Sequence, residues 1–474
     1  MSADAAPILL WFRRDFRLTD HPALDAAARS GRPVIPVFLN DEVVRTYGAA
    51  PTWRLGLAAE AFAERLKGIG SRLTFREGRA AEALARLADE TGARTVWWTR
   101  AYDPASLARD EAVKEALVAR GVDCADHPGH LLFEPESVRT GQDGYYKVYT
   151  PYWRKVKDRD PGPALTAPTA LQAPDGWPET DDPAIWGLGT AMNRGAAIVA
   201  PHCHVGEAAA QTRLAVFLRD RVEGYATARD IPAMHGTSGL SENLTYGEIS
   251  IRSCWHSAQR AIAEGKRGAP TFLKELVWRE FAYHLLYHTP RLITGNWRPE
   301  WDAFPWNEDA AGDDATAWKR GRTGMPFVDA AMREMFVTGT MHNRARMIVA
   351  SYLTKHLMCH WKIGMHWFEE CLIDWDPANN AMGWQWSAGS GPDATPFFRV
   401  FNPETQLDRF DADRTYIRRW IAEGRDDPDP CALAYFDAIP RRWGMAADDA
   451  YPDPIVTAAE GRARALDAYR GRDL

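Results

Sequence analysis

The sequence predicts two unlike parts: an α/β amino-terminal domain with a parallel, Rossmann-like sheet, and an all-α carboxyl-terminal domain, joined by a long linker. Three observations carry this. Residues 7–130 alternate short unbroken apolar runs with Ala/Leu/Arg-rich helical stretches, the pattern of a parallel sheet covered on both faces. Residues 131–205 are crowded with proline, at 151, 161, 163, 168, 174 and 178, which suits neither helix interior nor central strand. From residue 206 onward helical patterning runs almost to the end, punctuated by glycine and proline. The domains are drawn accordingly at 1–130, 131–205 and 206–474.

In the first part, residues 8–12, 34–39, 73–76, 95–99 and 122–125 read as buried strands. Residues 53–68, 80–91 and 107–120 read as the intervening helices. No Gly-x-Gly-x-x-Gly follows the first strand, so the dinucleotide fingerprint is missing and this domain is not expected to hold the main cofactor. Linkers as long as 131–205 are uncommon in compact domains, and one wrapped over both neighbours is the simplest reading. The last helical segment is expected at 455–470, with no long tail after it.

Composition narrows the function. With 474 residues, 46% hydrophobic and 26% charged, the chain suits a globular protein of two or three domains. No stretch approaches the ~20 apolar residues of a membrane span, and the start lacks signal-peptide features, so a cytoplasmic monomer is expected. Six scattered cysteines without Cys-x-x-Cys offer neither a disulfide framework nor a metal-cluster spacing. His284/His288 and His356/His360 share i, i+4 spacing but no zincin glutamate, and no metal is expected. The net charge of −7 argues against non-specific coating of nucleic acid. A local basic surface stays open, because Arg344, Arg346, Lys355, Lys362, Arg399, Arg409 and Arg414 lie in or near one stretch.

That stretch, 341–402, holds most of the chemistry. It opens with Met341-His342-Asn343-Arg344-Ala345-Arg346-Met347 and passes through Asp374-Trp375-Asp376-Pro377-Ala378-Asn379-Asn380 and Gly383-Trp384-Gln385-Trp386. It closes on Pro396-Phe397-Phe398-Arg399-Val400-Phe401-Asn402. A core can be built from Leu, Ile and Val, whereas every amide or charge placed inside needs its own partner. Something polar, flat and aromatic is expected to be held here. Upstream, Thr237-Ser238-Gly239-Leu240-Ser241 reads either as a serine-capped start of a helix or as a loop offering N–H and O–H donors to a phosphate. Phe272, Glu275, Trp278 and Arg279 share one face of an apolar helix, where a salt bridge within the helix would account for the glutamate and an arginine. Asn343, Arg346 and Met347 share another face, with Arg344 offset. Each of the twenty tryptophans is by default a packing residue.

Taken together with Trp-Phe-Arg-Arg-Asp-Phe-Arg-Leu-Thr-Asp at 11–20, Gly236 to Ser241, and Glu275-Leu276-Val277-Trp278-Arg279-Glu280-Phe281, these motifs resemble the photolyase/cryptochrome family. The likeness is in particular to members that repair cyclobutane pyrimidine dimers. It covers nearly the whole chain, and several separated motifs stand in the same order. The resemblance implies FAD in the helical domain, with Tyr225, Thr237, Ser238, Gly239, Leu240, Ser241, Phe272, Glu275, Arg279, Asn343, Arg346, Asp374, Asp376 and Asn380 as its contacts. Arg346 is expected to pair with Asp374. Asn380, rather than Asn379, falls at the position facing flavin N5, where plant cryptochromes carry aspartate. UV-damaged DNA is the implied partner. Glu275, Trp278, Asn343, Met347 and Trp384 would meet an extruded dimer, with Arg229, Arg344, Arg399 and Gln406 on the DNA side. Six-four photolyases place two histidines where this chain has Asn343 and Met347. Trp384, Trp361 and Trp306 match the relay that reduces the flavin, with Trp375 and Trp386 as candidates for a branch. A second antenna chromophore is also implied, methenyltetrahydrofolate or 8-hydroxy-5-deazaflavin, although residues 101–106 lack the Asn-Glu pair that holds folate in some relatives. Two alternatives stand beside the light-driven lyase: a cryptochrome-like blue-light photoreceptor and a dark flavoprotein oxidoreductase.

Overall fold

The computed structural model describes residues 6–471. Its first part is a five-stranded, all-parallel sheet of β1 (Ile8–Phe12), β2 (Val34–Asn40), β3 (Thr74–Glu77), β4 (Thr95–Thr99) and β5 (Asp123–His127), in the order β3-β2-β1-β4-β5. Central β1 and β2 are buried at every residue, as expected when helices cover both faces. The edges deviate from the sequence reading. The last strand lies at Asp123–His127 rather than 122–125, because Asp-Cys-Ala-Asp-His pairs with β4 from one side only and can stay polar on the other. The third begins one residue late, at Thr74.

Helix starts deviate for reasons of capping. The helix expected at 53–68 begins at Ala49, with Pro51 tolerated in its first turn. The helix expected at 107–120 begins at Pro104, behind Asp103, whose carboxylate accepts from Ser106 N–H at 2.9 Å. A helix absent from the sequence reading, Pro22–Arg29, is capped by the His21 ring. The final helix, Ala458–Arg470, starts behind a Thr457/Glu460 capping box, three residues later than expected.

Between the two parts, the chain forms a short helix (Tyr149–Val156), runs irregularly through its prolines, and forms brief helical turns at Pro183–Trp186 and Ala196–Val199. It lies over both neighbours. Leu165 exchanges hydrogen bonds with Asp20, Val34 N–H donates to Gln172 O, and Asp181 N–H donates to Phe75 O. Arg194 Nη2 donates to Cys371 O at 2.5 Å in the helical part. A second clamp is wholly buried: Arg54, from the helix Ala49–Lys67, bonds Glu242 at 2.8 Å and Glu248 at 2.7 Å, all three at most 1% exposed. Charges this deep need partners of opposite sign, so the clamp fixes where the helix Ser241–Thr245 sits against the sheet domain. Among the described residues, no helix is long and apolar enough to cross a membrane.

Candidate functional site

Four helices of the second part, Ser241–Thr245, Ala269–His288, Asn343–Ser351 and Pro377–Ala388, surround a cavity of about 550 Å³. Its wall gathers nearly every candidate from the sequence: Tyr225, Arg229, the loop Thr237 to Ser241, Phe272, Glu275, Trp278, Arg279, Asn343, Arg346, Met347, Asp374, Asp376, Asn380 and Trp384. Trp375, Trp386 and Asn379 are there too. Arg344, Arg399, Gln406, Trp361 and Trp306 are not among the lining residues.

The loop is set by two glycines. A Cβ on Gly236 would meet Ala228 O at 2.6 Å, and Gly239 has φ +66°, so a side chain is excluded at the first and strained at the second. Arg213 fixes the turn by donating to Gly239 O at 2.9 Å. Beyond it, Ser241 Oγ donates to Asp374 at 2.7 Å, and Arg346 Nη2 reaches both Asp374 oxygens at 3.0 and 2.8 Å. The expected Arg346–Asp374 pair is therefore present. Asp376 is the N-cap of the helix Pro377–Ala388, accepting from Asn379 N–H at 2.9 Å and Asn379 Nδ2 at 2.8 Å, while Tyr283 O–H donates to its other oxygen. Asn380 turns the other way and donates to Met365 O at 3.0 Å.

At the rim, Asn343 is exposed, and Glu275, Trp278 and Met347 are half-buried, whereas Asp374, Asp376 and Trp384 lie deep. Glu275 pairs with Arg229 across the cavity mouth rather than with Arg279 within its helix. Arg279 instead points toward the sheet domain, donating to His130 O at 3.0 Å and contacting Glu280. Trp278 stacks on Tyr149 with centroids 3.7 Å apart and planes within 6°. Arg344 pairs with Asp230 at 2.7 Å and lies over the Phe410 ring. Arg399 is exposed and Gln406 half-buried on the helix Pro403–Phe410.

Three donors on this wall lack partners. Trp375 Nε1, Trp384 Nε1 and His342 Nε2 are buried with no hydrogen-bond acceptor. His342 was missed in the sequence. Its Nδ1 accepts from Arg344 N–H at 3.1 Å as the N-cap of the helix Asn343–Ser351, which assigns the proton to Nε2, and burial holds its pKa down to about 4. A buried unpaired donor costs ~1–3 kcal/mol, so this wall is built for a ligand rich in acceptors. Flat aromatic and methionine contacts, hydroxyls at a glycine turn and a half-buried arginine on a buried aspartate all suit a flavin with its pyrophosphate. The residues fit FAD.

Trp384 packs its ring against Gly364, where an added Cβ would come within 2.0 Å of it. Gly364 is one turn from Trp361, which is fully buried and donates to Asn296 Oδ1 at 2.8 Å. His360 lies between Trp361 and Trp306, 5.4 and 5.3 Å from their rings.

A second hollow sits at the carboxyl ends of β1, β2 and β4, the place where doubly wound sheets hold ligands. Here it measures about 50 Å³. Arg109 pairs with Asp41 at 2.9 Å, Arg13 with Asp110 at 2.6 Å, and both guanidiniums lie against the Trp11 ring, 4.6 and 4.7 Å from its centre. As it stands it is too small for a fused-ring chromophore.

Known proteins resemble both parts of the chain. Residues 8–174 match the family model described as DNA photolyase, and residues 272–471 match the FAD binding domain of DNA photolyase. The deoxyribodipyrimidine photo-lyase of Agrobacterium fabrum is 42% identical, over 99% of this chain and 98% of its own length; that of Escherichia coli is 35% identical over 97% and 98%. Among solved structures, a bacterial class III photolyase from Agrobacterium tumefaciens superposes with a TM-score of 0.89 at 41% identity, covering 98% of this chain and 97% of that one. An archaeal photolyase from Sulfolobus tokodaii, solved with two FAD molecules, gives 0.80 at 27%, covering 98% and 99%. Full-length likeness at this identity, with the cavity where the FAD-binding model falls, leads to one conclusion: the chain belongs to the DNA photolyase family and carries its FAD-binding domain.

Proposed function

We propose that this chain is a deoxyribodipyrimidine photo-lyase that splits cyclobutane pyrimidine dimers extruded from DNA. The observation that carries the reading is the layering of one cavity. Deep in it, buried Asp374, held by Arg346 and Ser241, lies with buried Asp376 and Trp384 in a set suited to a flavin. At its rim, Glu275, Trp278, Asn343 and Met347 form a pocket reachable from solvent.

Bound FAD, in its reduced form, would supply light-driven one-electron chemistry. The protein's own groups do the rest. Trp278, held flat by Tyr149, offers a stacking wall worth ~1–3 kcal/mol per base. Glu275 accepts a hydrogen bond from the pyrimidine N–H edge when Arg229 yields it or shares it, orienting the lesion over the deep layer. Asn343 both donates and accepts without adding charge, and Met347 adapts to an irregular apolar surface. Arg229, Arg344, Arg399 and Gln406 meet the strand. Extrusion costs a few kcal/mol, least at a damaged step, and so contributes to selectivity. Asn343 and Met347 stand where six-four photolyases place two histidines, which favours the cyclobutane lesion over the six-four product.

The test is repair by the photoreduced protein of an oligonucleotide carrying one thymine dimer, under blue light with a dark control, followed by recovery of thymine absorbance. Light-dependent recovery is expected, with Glu275→Ala about 10- to 100-fold slower, the worth of a hydrogen bond to a charged group. Repair of a six-four oligonucleotide but not of the dimer would overturn the lesion assignment. DNA binding without repair of either would overturn the lyase.

A further inference from the structure

Lys355 is a wholly buried cation that lies outside the cavity wall. Its ammonium donates to Arg399 O at 3.1 Å and lies 5.3 Å from the centre of the Phe397 ring. The charged neighbour acting on it, Arg399, has the same sign. An ammonium taken out of water needs a carboxylate or a full set of acceptors to offset its desolvation. Methionine would fill a similar space without that cost, so stability does not account for a lysine here. The residue sits on the π-helical turn Tyr352–His356, which continues the helix Asn343–Ser351 without a break. Such turns are frequent at functional sites. What the ammonium holds is otherwise irregular: residues 389–402, between the helices Pro377–Ala388 and Pro403–Phe410, form neither helix nor strand. A weaker tie to the same rod is Phe401 N–H donating to Ser351 Oγ at 3.4 Å. Phe397 is buried beneath this segment, whereas Phe398 and Arg399 are exposed on it. One rod thus bears Asn343 and Met347 at the cavity rim and fixes the backbone of Arg399 at its far end.

We propose that Lys355 is a positioning residue for DNA binding: it ties the segment 396–402 to the helix that bears Asn343 and Met347, so that Arg399 meets the strand at a set distance from the lesion pocket. This rests on the reading of Arg399 as a DNA-side residue. The ammonium acts twice on it. Its hydrogen bond fixes the Arg399 carbonyl, and repulsion between like charges keeps the guanidinium turned outward. A segment already held in place leaves less for binding to order, which raises affinity without a direct contact. Lys355 itself is buried and touches no phosphate, so its effect on DNA must pass through Arg399.

The experiment is a double-mutant cycle on the full FAD-loaded chain, read as dark binding of a fluorescent thymine-dimer oligonucleotide at several salt concentrations. Lys355→Met should bind about tenfold more weakly at ~0.1 M salt, with the salt slope lower by about one, the worth of one phosphate contact. Arg399→Ala should do the same, and the double variant should be no weaker than Arg399→Ala alone. Repair per photon absorbed by the bound complex should stay native in Lys355→Met. Amide exchange at Arg399, Val400 and Phe401 should quicken in that variant. Removing a buried ammonium should not lower the denaturation midpoint at pH 7, so weaker binding at undiminished stability is a loss of positioning and not of fold. Native affinity in Lys355→Met, or a double variant weaker than Arg399→Ala by the full Lys355→Met factor, would overturn the positioning role alone. Failure of the native chain to bind the oligonucleotide would overturn the DNA reading on which it rests.

Discussion

The hollow at the strand ends and the cavity among the helices share a wall, yet they are built on opposite principles. Arg14 and Tyr283 line the hollow and also contact Asp376 at the cavity, and Tyr47 on one side meets Trp375 on the other at 5.1 Å. In the hollow the charged side chains described above answer one another: Arg109 with Asp41 and Asp110, and Arg13 with Asp110. In the cavity, volume coincides with donors that have no acceptor. Topology nominates the first place and polar satisfaction nominates the second. The comparison teaches that an unmet hydrogen bond is better evidence of a ligand than a position in the fold.

The largest effect on this contrast should come from the clamp that both places lean on. Arg54→Ala leaves Glu248 buried without its cation and Glu242 with Arg213 alone, a loss of about 3–5 kcal/mol. Chemical denaturation should show that loss, and the protein should be recovered with little flavin, because the helix Ser241–Thr245 forms part of the cavity. Full flavin content at native stability would mean that the cavity is independent of the sheet domain.

Asp374→Asn should act on one side only. It keeps the shape but strips the charge from the Arg346 pair, so flavin affinity should fall by about 10- to 100-fold, from the loss of a charge-assisted hydrogen bond of ~1.5–3 kcal/mol. Hydrogen exchange in β1, β2 and β4 should stay at native protection. Gly364→Ala is milder in stability, about 1–3 kcal/mol of overpacking against Trp384. Its readout is slower light-driven flavin reduction with the spectrum of the bound cofactor shifted.

How much of this was legible follows from where each residue's partners lie. The central strands were read almost to the residue, since burial on both faces makes them continuous apolar runs. The edge strand β5 and the short helix Pro22–Arg29 were not, the first being polar and the second eight residues capped by a histidine. The candidate residues on the helices Ala269–His288 and Asn343–Ser351 do converge on one wall, because i, i+3, i+4 spacing fixes a face. What spacing along one helix cannot see is a partner across space. Spacing alone offers Glu275 a bridge to Arg279, four residues on, whereas its partner is Arg229 from a distant segment. His342 could have been found: a histidine immediately before a helix is positioned to cap it, which buries the ring and commits its tautomer.

The smallest predicted effect tests the contrast between answered and unanswered charge inside the helical half itself. Lys355, on a π-helical turn at Tyr352–His356, is fully buried; it donates to Arg399 O at 3.1 Å, and no carboxylate of the described residues lies within ion-pair distance. Burial, with a smaller contribution from Arg399, lowers its pKa from 10.5 to about 7. The unfolded chain therefore binds the extra proton between those values, and stability must rise with pH across that window. Below about pH 7 both states are protonated, and the full cost of the buried ammonium is present. Lys355→Met removes the titration, so the variant should be more stable than the native chain at pH 6–7 and should lose part of the rise toward pH 10. Denaturation midpoints at three pH values across this range measure it. A native slope that survives the substitution would mean that water reaches Lys355 and solvates its ammonium, so that its charge, like those of the hollow, is answered.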